Sequence, residues 1–309
     1  MPNVKHKKVS GKPASTDPAL IDGPAWDDEH AVDQYMDLPA LGATPAVPPA
    51  SPGDLRFFAR KRANRRLPWF IGPSGLDSPI QPALFGNALT MWLPGTGTTA
   101  ALSFGVNWTV AATQAHPAIA TTNLHTQMRR ATFSTSTTAG NAAGVRAAAA
   151  CCWRGNAAGL GGFYFFARFG FTTVISGMQF LVGLSAQSGA LAGEPSAINN
   201  TIAIGKDAAD TNMQLIFRDG TATTKVNLGA APAVDQVYDV HLFCPPNGST
   251  IGARVTRLND NAVLADDTSH TANIVQNAAL LFPRAEVRNG TTAAVAAISL
   301  ARIYLETDT

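Results

Sequence analysis

Asp207, Asp210 and Asn212 lie close together in GKDAADTN, and oxygen ligands so spaced could hold a calcium ion, although no recognised calcium-loop pattern surrounds them. Asp260, Asp266 and Asp267 in NDNAVLADD form a second carboxylate group. Glycoside hydrolysis needs two carboxylates roughly 5 to 10 Å apart across the scissile bond. Both stretches read better as polar turns, in which Asp and Asn bond their own backbone. No acidic residue occurs between Asp77 and Glu194, so a catalytic pair would have to come wholly from the later loops. A Cys151–His241 dyad would supply a thiolate nucleophile, but nothing in the spacing brings the two together. Ser74 in GPSGLD matches the G-x-S-x-G nucleophile turn only loosely. The histidines His6, His30, His116, His125, His241 and His270 form no H-x-x-x-H, and Cys151, Cys152 and Cys244 form no C-x-x-C. The expectation is a protein without catalytic residues, metal centre or cofactor, its cysteines reduced and buried.

Two other features could bind rather than react. The run Arg56, Arg60, Lys61, Arg62, Arg65, Arg66 is the strongest charge feature. The chain as a whole carries a net charge of +2, which exerts no general pull on nucleic acid. Residues 1–66 carry ten basic and eight acidic side chains, so pairing of this run with the segment Asp22 to Asp37 is expected before nucleic-acid binding. Aromatic residues give the second feature. CCWRGNAAGLGGFYFFARFGF, residues 151–171, packs rings beside glycines with no acid nearby. It is too short for a membrane span and contains Arg168, so no membrane insertion is expected. Trp153, Tyr164 and Tyr238 are the candidate glycan-stacking rings, with core or subunit-interface packing as the alternative.

The elements that must position these residues are strands. Charged residues are 14% of the chain and hydrophobic residues 46%, which suits a small-residue β protein and not a disordered one. On a strand with period two, Phe163, Phe165, Ala167, Phe169 and Phe171 share one face, and Tyr164, Phe166, Arg168 and Gly170 the other. The first face belongs in a core. Asp239 and His241 in VYDVHLF alternate in the same way with Tyr238, Val240 and Leu242. NTIAIGKD should pair with NMQLIFRDG, and Asp219-Gly220 should turn that strand into TTKVNLG. QVYDVHLFCP should meet TIGARVTRLND across Asn247-Gly248, and LLFPRAEVRNG should meet AVAAISLARIYLE across Asn289-Gly290. The expected fold is mainly β, an antiparallel two-sheet jelly-roll sandwich over residues 67–309.

Residues 1–66 read differently, as a mostly irregular arm with short helices. Asp22 or Gly23 could cap one helix with Pro24 at its first position. Prolines 39, 45, 48, 49 and 52 mark a semi-rigid spacer. A second helix is expected from Asp54 to Arg66 or Leu67, ended by Pro68. MPNVKHKKVSGKPAS has basic residues without an apolar stretch, so no secretory leader is expected.

Residue order adds a resemblance. DPALIDGPAWDDEHAV resembles the N-terminal segment of tailed-bacteriophage tail-fibre and tail-associated proteins, with Trp26, His30 and Val32 on its pattern. Asp27, Asp28 and Glu29 stand where that family usually has an Asn and small residues. WFIGPSGLDSPIQPALFGN, HPAIATTNLHTQMRRATF, WRGNAAGLGGFYFFARFG and PRAEVRNGTTAAVAAISLARIYLETD resemble a phage structural module with a concanavalin A-like sandwich. The resemblance implies a virion protein made in the bacterial cytoplasm, commonly a homotrimer. It implies that the arm docks on other virion proteins through Trp26, His30 and Val32, and that the sandwich attaches to a host-surface glycan as a tail fibre or receptor-binding component. A capsid decoration, head fibre or tail adaptor protein with no receptor role is the alternative, and a surface-glycan depolymerase is the enzymatic one.

Overall fold

A computed structural model of the chain describes residues 40–41, 56–71, 77–79, 88–95, 102–157 and 160–307. Contacts divide the chain into Met1–Pro39 and Ala40–Thr309, and every feature described below belongs to the second unit. Trp26, His30, Val32, Pro24 and the proline spacer lie outside the described residues.

The early strands are β1 (Ala40–Leu41), β2 (Arg56–Arg62), β3 (Arg65–Ile71) and β4 (Asp77–Pro79), which form a four-stranded sheet in that order. The helix expected from Asp54 to Leu67 is therefore a β-hairpin, with Arg62 paired to Arg65 across Ala63-Asn64. Both turn residues have positive φ, 45° and 69°, the geometry of a two-residue type I′ turn. Asn tolerates that region through its short polar side chain. The charge gradient along the segment suggested a helix dipole; the turn chemistry at Asn64 overrides it. The strand β3 runs through the residue 66/67 boundary drawn from composition.

The later strands are β5 (Ala88–Leu93), β6 (Leu102–Phe104), β7 (Trp108–Ala111), β8 (Thr113–Ala115), β9 (Ala131–Ser134), β10 (Ala142–Ala147), β11 (Phe163–Thr173) and β12 (Gln179–Ser185). They continue as β13 (Thr201–Lys206), β14 (Gln214–Arg218), β15 (Thr223–Asn227), β16 (Val237–Cys244), β17 (Ile251–Arg257), β18 (Ala262–His270), β19 (Phe282–Arg288) and β20 (Ala297–Thr307). One sheet has seven strands in the order β15-β14-β13-β12-β19-β10-β7, and the other has nine, with the path β18-β17-β16-β11-β20-β5-β6. The remaining two strands join through β20, which pairs with β9 over its first half and β5 over its second. This is the expected antiparallel two-sheet sandwich of jelly-roll type.

The expected hairpins β13–β14–β15 and β16–β17 form as read. The Asp219 carboxylate accepts from the backbone of Thr221 and Ala222 and closes the β14–β15 turn. The expected β19–β20 hairpin does not form: β19 lies in the seven-stranded sheet and β20 in the nine-stranded one. Asn289 is fully buried, and its Nδ2 donates to the carbonyls of Ser136, Thr138 and Ala294. Those three bonds hold the chain where it crosses between sheets, so the Asn-Gly pair marks a corner.

Phe163, Phe165, Ala167, Phe169 and Phe171 all face the core, as their parity requires. Phe171 meets Phe180 of the opposite sheet edge-on at 4.9 Å, and Phe169 meets the same ring at 6.2 Å. Each such ring, fully withdrawn from water, contributes about 1.5 to 3 kcal/mol.

Candidate functional site

The sheet register sets the geometry of the face turned away from the core. Reading across the nine-stranded sheet, cross-strand partners run Phe104–Met91–Tyr304–Phe166–His241–Arg254–Asp266. Cross-strand partners share a face, so seven side chains from seven strands form one transverse row on the outside. At about 4.8 Å per strand the row spans roughly 29 Å. Four are rings: Phe104 at its end is 61% exposed, and Tyr304, Phe166 and His241 are half-buried. Phe166 stacks on His241 with centroids 4.8 Å apart, and Tyr164 Oη lies 2.8 Å from His241 Nδ1.

A second row lies beside the first, Arg302–Arg168–Asp239–Thr256. Arg168 grips Asp239 through Nε at 2.7 Å and Nη2 at 2.8 Å. The guanidinium of Arg302 is 6.0 Å from the Phe166 ring centroid. On the other side a third row, Glu306–Tyr164–Phe243–Gly252, is roofed by the β2–β3 hairpin. Arg65 donates through Nη1 to Glu306 at 2.6 Å and lies 5.1 Å from the Tyr164 centroid. The Ala63 carbonyl would be 2.2 Å from a Cβ at Gly252, so only glycine admits the hairpin there.

Burial and four nearby guanidiniums, those of Arg62, Arg254, Arg168 and Arg60, hold His241 well below the usual imidazole range. The ring is neutral at physiological pH and serves as a flat surface. Burial also pushes the Tyr164 and Tyr304 phenols up, so both remain protonated hydroxyls. The face offers rings, hydroxyls and guanidiniums, a set suited to binding polar ring molecules.

The three rings proposed from sequence separate. Tyr164 lies on this face but is buried beneath Arg65 and orients His241. Tyr238 is in the core, stacked on Phe169 at 5.5 Å, and cannot touch a ligand; its parity with Val240 and Leu242 placed it there. Trp153 is half-buried, and its carbonyl accepts from the Gly162 N–H immediately before β11. The residues missed are Phe104, Met91, Tyr304 and Arg302. Alternation of Arg302, Tyr304 and Glu306 with Ile303 and Leu305 was the available signal.

The acidic groups are engaged elsewhere. Lys225 Nζ sits 3.0 Å from Asp207 and 2.6 Å from Asp210, pairing with both carboxylates, and Asn212 Nδ2 donates to Asn227. Ser196 Oγ and backbone N–H complete the Asp207 shell at 2.5 and 3.0 Å. Asp260 pairs with Arg257, Asp266 with Arg254 and Asp267 with His270. Cys151 packs against the core while His241 lies on the outer face, so the two form no dyad, and burial raises the Cys151 thiol to about 11 and Cys244 to about 12. Among the described residues no cluster of His, Cys, Asp and Glu could hold a metal ion, and no helix is long and apolar enough to cross a membrane.

An open cleft of about 770 Å³ lies among the loops, lined by Arg154, Asn200, Asp219, Thr221, Gln276 and Asn277. Its polar groups largely satisfy one another. Asn200 accepts from the Gln276 N–H at 2.8 Å and donates to Gln276 Oε1 at 3.3 Å, while Asp219 holds Thr221.

No family model matches the chain, and no curated protein matches it. Among solved structures it is similar to a protein of unknown function from Shewanella oneidensis MR-1, with 12% identity over 72% of this chain and 86% of that one and a TM-score of 0.47. It is also similar to peanut lectin, with 10% identity, 65% and 90% coverage and a TM-score of 0.42. A third is the carbohydrate esterase of Shiga toxin-encoding bacteriophage phi24B, with 14% identity, 71% and 97% coverage and a TM-score of 0.37. None of the three reaches a TM-score of 0.5, and none transfers a residue role to this chain.

Proposed function

We propose that the chain is a bacteriophage virion protein whose sandwich binds saccharide on the outer face of the nine-stranded sheet. In this reading it is a tail fibre or receptor-binding component that attaches the particle to the host surface. Residues 1–66 carry the arm that docks on the particle, and the protein works as a homotrimer without covalent chemistry. The observation that carries the binding reading is the transverse row: Tyr304, Phe166 and His241 present adjacent, partly exposed rings with hydroxyls and guanidiniums beside them. Sugar rings pack their C–H faces on aromatic surfaces while their hydroxyls seek hydrogen bonds, and this face supplies both. The resemblance of DPALIDGPAWDDEHAV to phage tail proteins supports the virion setting. Engagement of the later-loop aspartates in ion pairs supports binding over hydrolysis.

The test is retention of the purified protein on immobilised host-surface polysaccharide. Phe166→Ala, at a half-buried outer position, should abolish retention and leave thermal unfolding within about 1 kcal/mol of the parent. Failure of the parent chain to bind any host polysaccharide overturns the saccharide reading.

A further inference from the structure

Two arginines face each other on neighbouring strands, Arg302 of β20 and Arg168 of β11. Like charges directly opposite one another in a sheet destabilise it. Of the two, only Arg168 has a carboxylate in ion-pair contact among the described residues. Arg168 holds Asp239 through two hydrogen bonds. The other two carboxylates at this face are also taken, Asp266 by Arg254 and Glu306 by Arg65. Arg302 is exposed and has no carboxylate within ion-pair reach among the described residues. A contact at 6.0 Å from the Phe166 centroid places the cation beside the ring at the middle of the row.

We infer that the face selects an acidic saccharide, with Arg302 receiving the anionic group of a sugar unit whose ring lies on Phe166 and Tyr304. The inference rests on the saccharide reading of this same face. An unmatched guanidinium beside a half-buried ring is the arrangement that reads a charge and an apolar ring face together. A carboxylate on the ligand would bond the Arg302 fork and offset its repulsion with Arg168. Polysaccharide fits better than nucleic acid because Asp239 and Asp266 are interleaved with the arginines. Both would repel a phosphodiester chain that carries a charge on every unit, while Asp266, the more exposed of the two, can still accept from a sugar hydroxyl.

The experiment measures binding of the full chain to an array of matched neutral and carboxylated oligosaccharides, with a single-stranded DNA arm. The parent should bind carboxylated members and not their carboxyl-reduced counterparts. Binding should weaken sharply near 1 M salt, where the Debye length is about 3 Å. Arg302→Gln should lose at least about tenfold in affinity, Arg302→Lys should retain part of it, and neither should unfold below the parent's temperature. Equal binding of neutral and acidic members, or full affinity in Arg302→Gln, overturns the inference and leaves the saccharide reading standing. Absence of binding to every saccharide overturns both readings. Stronger binding to DNA than to any saccharide overturns the inference in favour of a polyanion site.

Discussion

On the outer side of the seven-stranded sheet, Arg284 and Glu286 of β19 are both wholly buried, with Nη2 and Oε2 2.8 Å apart. Arg146 of β10 reaches the other carboxylate oxygen at 3.4 Å and is 16% exposed. Arg284 also donates to Ser185 Oγ at 3.0 Å and to the Gly189 carbonyl, while Arg146 donates to the Ser188 carbonyl at 2.9 Å. The group thus ties the loop after β12 down over the sheet, where Leu191 and Ile198 pack on Leu181 and Ala203. Breaking a buried pair from one side costs about 3 to 5 kcal/mol, because a charge is left without its partner. The two sides are unequal here. Glu286→Leu leaves two adjacent guanidiniums, one of them fully buried, and should cost about 4 to 5 kcal/mol. Arg284→Met leaves Glu286 with Arg146, and burial already pushes that carboxyl above its ordinary range, so it can take up a proton. This variant should cost about 3 kcal/mol. Arg284→Met/Glu286→Leu removes both charges in similar volume and should be more stable than Glu286→Leu alone by at least about 2 kcal/mol. Urea unfolding of the four proteins gives the coupling directly. Amide exchange at residues 188–191 should quicken in both single variants. Additive losses in the double variant would refute the argument, since the two groups would then act independently.

Phe165→Ala removes a fully buried ring from between the sheets and should cost about 3 to 5 kcal/mol, read by thermal or denaturant unfolding. Arg168→Ala strands the nearly buried Asp239 carboxylate but at a position about a third exposed, so about 1 to 2 kcal/mol is expected, more than for a water-facing arginine. Because His241 is held below its unfolded value near 6.5, the unfolded chain binds the extra proton first. Stability should therefore fall as pH drops below about 6.5, by up to about 1.4 kcal/mol per unit, and His241→Gln should flatten that limb; an unchanged profile in the variant would count against it. Gly252→Ala puts a methyl into the Ala63 carbonyl and should release the β2–β3 hairpin, seen as faster proteolysis within residues 56–71 while the sandwich core still unfolds cooperatively.

The sandwich class and the buried Phe face were legible because period-two alternation in FYFFARFGF is a local property that burial obeys. Asp219-Gly220 and Asn247-Gly248 were legible because the strands they join are neighbours in sequence and in space. Asn289-Gly290 has the same local chemistry and a different role, because what separates a hairpin from a corner is which sheet each flanking strand joins. Residues 54–67 misled because their charge order mimics a helix, while Ala63-Asn64 decides the geometry with two residues. For the site, Tyr164, Phe166 and Arg168 were placed on one face correctly, and Asp239 and His241 on another strand's equivalent face. The row itself was not legible. Its continuation needs Tyr304 set against Met91, a register between strands more than two hundred residues apart that no local pattern encodes.

The place of β20 bears on how the chain comes to be made. It lies between β11 on one edge and both β9 and β5 on the other, yet it is the last of the described strands to be synthesised. Until it emerges from the ribosome, β16–β17–β18 and β5–β6 have no common neighbour, and Trp92 and Phe133 wait for the surface that buries them. The seven-stranded sheet also lacks β19 until late in synthesis. The nascent chain must therefore hold its phenylalanine-rich strand β11 without its β20 neighbour from the synthesis of Thr173 until that of Ala297. Closure of the sandwich becomes a long-range event, slow by its topology and exposed to aggregation until β20 is in place.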